Sequence, residues 1–185
     1  MYIRYSGKYG KSIKIIYPGE FHVSGSNEFI GTLLGSCVAV CLFDREKGIS
    51  GMNHIMLPGR ITKADVFSDR TSKYGITAIN QLVSSMKSMG ASKSKMEAKI
   101  FGGGHVLAGE KSMNTIPSDN VRLAMLMMEL EDIPVVQSDV GGQYTRKVLF
   151  DVQTGNVYLK RTAKGDALNI NDVTDEVFEK EIMNE

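Results

Sequence analysis

The stretch from Thr32 to Leu57 constrains the fold of this chain more than any other segment, because it predicts a β-hairpin. An apolar run from Val38 to Phe43 is followed by a polar segment that ends in Gly48, and a second extended run covers Met52 to Leu57. Two such runs separated by a short polar segment with Gly are typical of antiparallel strands. The chain is therefore predicted to fold back on itself here.

Two reactive side chains flank this hairpin. Cys37 follows the pair Gly35–Ser36, a tight-turn signal, and His54 lies in the second run. If the two runs pair antiparallel, Cys37 and His54 lie at the same open end, where the imidazole can take the thiol proton and leave a thiolate to attack. A turn also lets neighbouring backbone N–H groups face a substrate and hold an oxyanion. The pattern predicts a cysteine nucleophile with a histidine base.

A structural interpretation of the same residues stays open at this point. A cysteine in an apolar strand is commonly a small buried hydrophobe, and a lone histidine is commonly structural. Cys41 lies inside the apolar run without a turn beside it, so it is predicted to be an inert core thiol. His22 has no nucleophile close in sequence, and His105 follows three glycines, a flexible support for a base.

Four segments, in this order along the chain, resemble the CheD family of bacterial chemoreceptor glutamine deamidases. They are LGSCVAV with the following NHIMLP, Lys73–Tyr74, the run AKIFGGG from Ala98 to Gly104, and Asp139 to Gly142 with Arg146 behind it. The resemblance runs from about Gly19 to about Arg161. The segment Ile116 to Asn120 departs from the family pattern IGxRN, because it lacks both the Gly and the Arg.

The resemblance implies a reaction and a site. The reaction is hydrolysis of specific glutamine side-chain amides to glutamate in methyl-accepting chemotaxis receptors, with methyl esters at these sites as further substrates. Cys37 is implied as the nucleophile, His54 as the base, and Thr32 as the residue that accompanies the pair. Gly35 and Ser36 of the turn are expected to contact the substrate. The triplet Gly102, Gly103 and Gly104 is expected to line the cleft or to pack under the turn by close backbone approach.

The resemblance also implies partners. These are the cytoplasmic helices of the receptors and a CheC-type phosphatase that occupies the same face as the receptor substrate. A mainly non-catalytic docking role beside such a phosphatase is the alternative function. A general cysteine protease or amidase is a third hypothesis.

Composition excludes several other functions. The 185 residues suit one domain, and the 22 basic and 21 acidic side chains form no cluster suited to nucleic acid. The glycine triplet lacks phosphate-loop spacing, and Cys and His lack metal-ligand spacing, so neither a cofactor nor a metal is expected. With no leader-like segment, no span-length apolar run and two cysteines unsuited to a disulfide framework, we expect a soluble cytoplasmic protein.

The predicted fold class is α/β, of the α+β type. We expect a mixed β-sheet core doubled into a sandwich with two helices outside, and the resemblance implies a fold shared with cysteine-dependent toxin deamidases. The helices are predicted from Ser72 to Met89, before Gly90, and over Ser118 to Glu131, capped by Ser118 or Asp119.

Three peripheral segments complete the prediction. Residues 1–11 are predicted to be a loose tail, with docking through three tyrosines as the alternative. Residues 59–71 are predicted to form a rim or a lid over the cleft, and residues 171–185 to include a terminal helix.

Overall fold

The computed structural model describes residues 1–56, 70–106 and 115–163, which form two five-stranded sheets and two helices. The first sheet contains, in spatial order, β1 (Tyr2–Ser6), β2 (Lys11–Ile15), β4 (Glu28–Leu34), β9 (Tyr144–Asp151) and β10 (Val157–Ala163). The second contains β3 (Phe21–Ser24), β6 (Ile49–Asn53), β5 (Val38–Asp44), β7 (Met96–Gly102) and β8 (Val135–Val140). The helices are α1 (Arg70–Ser88) and α2 (Ile116–Leu130), and a 3₁₀ turn spans Lys93–Lys95.

Both sheets are mixed. Strand β2 runs parallel to β4, and β7 runs parallel to β8, while the other neighbours are antiparallel. Both helices pack on the second sheet, whose other face meets the first sheet. The predicted α+β sandwich with outer helices is thus confirmed, and the relation to toxin deamidases stays a prediction.

Strand β5 is buried along its whole length because both of its faces are covered. Val38, Val40 and Leu42 pack in the cluster that the helices cover, whereas Ala39 and Cys41 pack between the two sheets. Burial on both faces explains why the sequence of this strand is continuously apolar. Since side chains alternate along a strand, the residue before β5, Cys37, lies on the side of the inter-sheet layer and packs at its edge.

The predicted hairpin is confirmed, but its second strand begins and ends earlier in the sequence than the predicted run from Met52 to Leu57. Strands β5 and β6 pair antiparallel, and Cys41 lies opposite Met52. Strand β6 ends at Asn53, so His54 lies just beyond it and not inside a strand from Met52 to Leu57. The ladder continues for one further bridge, between Val38 and Ile55.

The prediction of a loose tail over residues 1–11 is wrong, because residues 2–6 form β1 at the edge of the first sheet. The docking alternative describes this segment better. The ring of Tyr2 lies 5.9 Å from that of Tyr17, and Tyr9 packs edge-on against Phe29 at 5.2 Å. Aromatic contacts of this kind contribute about 1 kcal/mol each beyond their buried area.

Helix α2 begins two residues before the predicted cap at Ser118. Pro117 lies in its first turn, where a missing N–H costs no hydrogen bond, so this proline does not mark the helix boundary.

The segment predicted over residues 59–71 lies, up to residue 69, outside the described residues, and so does the predicted helix in residues 171–185. Neither helix of the described ranges has the length and apolar character needed to cross a membrane.

Candidate active site

The hairpin brings Cys37 and His54 to the same end of the second sheet. Val38 and Ile55 exchange two backbone hydrogen bonds, of 3.0 and 2.7 Å, and these residues directly follow Cys37 and His54. The register that pairs Val38 with Ile55 places His54 opposite Ala39, and opposite residues share a face. Cys37 and His54 are therefore diagonal neighbours on the inter-sheet face, as predicted for antiparallel runs.

The opposite sheet supplies a hydroxyl group to the histidine. Oγ1 of Thr32, in β4, lies 2.8 Å from Nδ1 of His54. The same hydroxyl donates a hydrogen bond to the carbonyl of Ile16, also at 2.8 Å. A hydroxyl has one proton to donate, so Thr32 can only accept from the ring. Nδ1 therefore carries the ring proton, and Nε2 carries a free lone pair.

This Nε2 atom is buried and has no hydrogen-bond partner among the described residues. His54 is only 2% exposed, and its burial lowers its pKa to about 4, although the Glu20 carboxylate and a hydrogen bond to the backbone of Ile16 oppose the shift. The ring is therefore neutral at neutral pH. A buried acceptor left unpaired costs about 1–3 kcal/mol, and such groups call for an explanation such as a catalytic role.

The two cysteines are free and differ in burial. Cys37 is half-buried, and burial raises the pKa of its thiol against the opposing effect of a hydrogen bond from Ser36. Cys41 is fully buried in the inter-sheet core, where burial raises its pKa further. The resting site thus pairs a neutral Cys37 thiol with a neutral imidazole, and not a thiolate with an imidazolium.

The glycine triplet lies directly under the cysteine turn. The N–H of Gly104 donates to the carbonyl of Gly35, and that of Gly103 donates to the carbonyl of Cys37, both at 2.8 Å. A Cβ atom at Gly102 would overlap the Cys37 carbonyl oxygen. Packing under the cysteine turn by close backbone approach, one of the two roles expected of the triplet, is what the geometry shows.

The structure leaves little room for the predicted contact between the glycine triplet and a substrate. At Gly103, where φ is 66°, a Cβ atom would overlap the Val121 side chain and crowd the carbonyl of Pro117, which belong to α2. This residue faces the helix layer. Contact of the triplet with substrate stays a prediction.

A third donor to the turn comes from α2 and was missed by the sequence analysis. Nδ2 of Asn120, a fully buried residue, donates to the carbonyl of Ser36 at 2.8 Å. The N–H groups of Ser36 and Cys37 donate to no acceptor within the described part of the chain. The only signal for Asn120 was its position at the end of the segment that departs from the IGxRN pattern.

A buried guanidinium near the turn was also not foreseen. Arg146 is fully buried on β9, opposite Leu34 at the end of β4, and its Nη2 donates to Asp139 at 2.9 Å and to the carbonyl of Gly141 at 2.8 Å. Asp139 also pairs with Arg161. The two remaining nitrogens of Arg146 have no acceptor among the residues described.

The other two histidines have different surroundings. Nε2 of His22 lies 2.9 Å from the carboxylate of Glu28. His105 is exposed, and its Nε2 lies 3.3 Å from Oγ of Ser118. Neither ring is buried as deeply as that of His54.

Fold and site together define a two-sheet α+β protein with a half-buried cysteine beside a neutral, hydroxyl-bound histidine. The family model CheD, described as CheD chemotactic sensory transduction, matches residues 56–161. A "Probable chemoreceptor glutamine deamidase CheD" from Hahella chejuensis is 37% identical over 154 residues, which cover 82% of this chain and 71% of that protein. Similar relatives occur in Chromobacterium violaceum (38% identical, covering 82% of this chain and 75% of the relative) and in Shewanella oneidensis (38%, 85% and 76%). The chain belongs to the CheD family.

Proposed function

We propose that this chain hydrolyses glutamine side-chain amides of chemoreceptors in the cytoplasm, with Cys37 as nucleophile and His54 as base. Membership of the CheD family supports the substrate, since several relatives are named as probable chemoreceptor glutamine deamidases. The observation that carries the chemistry is the buried Nε2 of His54 at the Cys37 end of the hairpin, which has no partner among the residues that the structure describes. A hydrogen-bond acceptor in that state suits a general base.

The first half of the reaction forms a thioester. Because thiol and imidazole are both neutral at rest, Nε2 of His54 takes the Cys37 proton as sulfur attacks the carboxamide carbon. The carbonyl oxygen becomes an oxyanion, which is stabilised by the N–H groups of Ser36 and Cys37, since these donate to no acceptor in the described part of the chain. The C–N bond then breaks, and the leaving nitrogen takes the proton from the His54 imidazolium to depart as ammonia.

The second half returns the enzyme to its starting state. Water attacks the thioester carbon while His54 again accepts a proton, and the C–S bond breaks. The sulfur regains its proton from His54, and the product is a glutamate side chain. Thr32 supports both halves of the reaction, because its hydroxyl oxygen accepts a hydrogen bond from Nδ1–H and so keeps the lone pair on Nε2.

The surface beside the cysteine suits a side chain that projects from an intact helix. Cys37 is only half-buried, and Met56, one step beyond the bridge between Val38 and Ile55, is 46% exposed. A glutamine side chain extends only about 5 Å from its Cα atom, by the bond lengths of the chain. A thiol near the surface can therefore meet it without unfolding the receptor helix.

Incubation of the purified chain with a receptor cytoplasmic fragment tests this function. We expect ammonia release together with the mass gain of an amide-to-acid conversion at individual glutamines, and neither with Cys37→Ala. A fragment methylated at these positions should also release methanol, since an ester reaches the same thioester. An unchanged fragment after prolonged incubation with the wild-type chain would contradict the proposal.

We propose that a CheC-type phosphatase binds the face that surrounds Cys37. Exposed Met56 and His105 lie on either side of the cysteine turn, on the chain segments that support it. Met56→Glu should weaken partner binding and raise the KM for the receptor fragment together. If only partner binding or only the KM changes, the partner and the receptor use separate surfaces. A purely docking role would require full partner binding by a catalytically dead Cys37→Ala variant.

A further inference from the structure

The three carbonyl groups of the cysteine turn all point into the protein. Those of Gly35 and Cys37 accept from backbone N–H groups of the glycine triplet, and that of Ser36 accepts from Nδ2 of Asn120. Of these three donors, Asn120 alone is a side chain. It stands 84 positions away in the sequence and reaches the turn from the first turns of α2.

A peptide unit is planar, and in its trans form the C=O and N–H groups point in opposite directions. The carbonyl of Ser36 and the N–H of Cys37 belong to the same unit. Because Asn120 holds this carbonyl towards α2, the Cys37 N–H must point away from α2. That N–H has no acceptor among the described residues. A hydrogen bond accepted at the carbonyl also polarises the unit, which makes its N–H a stronger donor.

We infer that Asn120 is a positioning residue that orients the Ser36–Cys37 peptide as an oxyanion-binding donor. The inference rests on the proposed function, because an oxyanion forms only if Cys37 attacks a carbonyl carbon. Asn120 does not touch the substrate; it acts through the peptide whose carbonyl it holds. Its complete burial fits this role, since a fully enclosed amide that donates to a turn carbonyl holds one orientation.

The test compares two reactions of the same thiol in Asn120→Ala and Asn120→Asp. Hydrolysis of glutamine in a receptor fragment needs an oxyanion site. Alkylation of Cys37 by chloroacetamide is a displacement at a tetrahedral carbon and needs none. Loss of one oxyanion donor typically costs ~10²–10³-fold in kcat. We expect kcat for deamidation to fall about 10- to 100-fold, with KM and the alkylation rate of Cys37 within about threefold of wild type.

Arg122→Ala is the matched control, since Arg122 lies on the same helix with a half-exposed side chain that pairs with the buried Asp119. It should leave both reactions unchanged. Equal losses of deamidation and alkylation in the Asn120 variants, or failure of both variants to fold, would assign Asn120 to the fold alone and overturn the inference. Full deamidation by both variants would overturn it as well. If Cys37→Ala, measured alongside, keeps its activity, the proposed function fails instead.

Discussion

Thr32 and His54 join the two sheets at the candidate site, with Oγ1 and Nδ1 2.8 Å apart. The Thr32 hydroxyl donates a hydrogen bond to the carbonyl of Ile16, so its oxygen accepts a hydrogen bond from the ring of His54. This one contact sets both the tautomer and the direction in which Nε2 faces. In the proposed mechanism the sandwich therefore contributes to the chemistry, because the proposed nucleophile and base lie on the side of one sheet and Thr32, which orients the imidazole, lies on the other.

Thr32→Val should lower the deamidation rate about 10- to 100-fold, a part of the ~10²–10⁴-fold that general-base catalysis contributes. Valine has nearly the same shape but accepts no hydrogen bond, so the ring loses its fixed tautomer. Thr32→Ser keeps the hydroxyl and should stay within about threefold of wild type. Nitrogen NMR should show protonated Nδ1 and bare Nε2 in the wild-type protein. A proton on Nε2 instead would contradict the assignment of His54 as base.

Stability should fall between pH 7 and pH 5 because of His54. The pKa of His54 is about 4 in the folded protein, below its ordinary value of 6.5, so the unfolded chain binds this proton first as the pH falls. The stability contributed by neutral His54 is present above pH 6.5 and is lost progressively towards pH 4. Linkage gives a loss of about 2 kcal/mol between pH 7 and pH 5.

Urea unfolding of the wild type and of His54→Gln at both pH values measures this loss. The variant should lack that part of the pH dependence, whatever its absolute stability. Glu28, whose pKa is lowered without any contribution from His54, titrates in both proteins and cancels in the comparison. Parallel pH profiles of the two proteins would show that His54 titrates normally.

Cys37 should react with chloroacetamide in the native protein while Cys41 stays unlabelled until the protein unfolds. Cys41 is completely buried, and Cys37 is only partly so. Since burial raises the pKa of Cys37, its labelling rate should still be rising at pH 9, unlike that of a preformed thiolate. Peptide mapping after timed labelling gives both rates. Equal labelling of the two thiols would refute the placement of Cys41 in the core.

Asp139→Ala should destabilise the fold by about 3 kcal/mol, because it leaves the guanidinium of Arg146 buried without its carboxylate. Arg161→Ala should cost less than about 1 kcal/mol, since Arg161 is 40% exposed and pairs with the same carboxylate. Adding Arg146→Met to Asp139→Ala should recover part of the lost stability. Urea denaturation of the wild type and the three variants measures their free energies of unfolding. A double variant less stable than Asp139→Ala would contradict the claim that this substitution leaves a buried, unpaired charge.

The local features of the fold could be predicted from the sequence. The hairpin of β5 and β6 follows from two apolar runs around a polar turn, and the shared position of Cys37 and His54 follows from antiparallel pairing alone. Strand β1 was missed because its tyrosines lie among polar residues and glycines, and the first sheet supplies the partners that order them.

The features that depend on distant contacts could not be predicted. No periodicity shows that β2 runs parallel to β4, or that Asn120 reaches the carbonyl of Ser36 from another layer. The burial of Arg146 conflicts with the usual exposure of arginine, and only the position of Asp139 across the sheets explains it. The resemblance implied that Thr32 accompanies Cys37 and His54, but residue spacing could not predict its contact with His54, because Thr32 lies in the other sheet.

A search for a covalent intermediate on Cys37 tests the central claim most directly. A receptor fragment mixed with enzyme and quenched in acid within the first turnover should leave a population of enzyme heavier by the fragment less one ammonia. Peptide mapping should place this adduct on Cys37, and hydroxylamine should remove it, as expected of a thioester. Cys41→Ala should form the same adduct, and Cys37→Ala should form none. Deamidation that proceeds in Cys37→Ala, or an adduct that maps to another residue, would contradict the account.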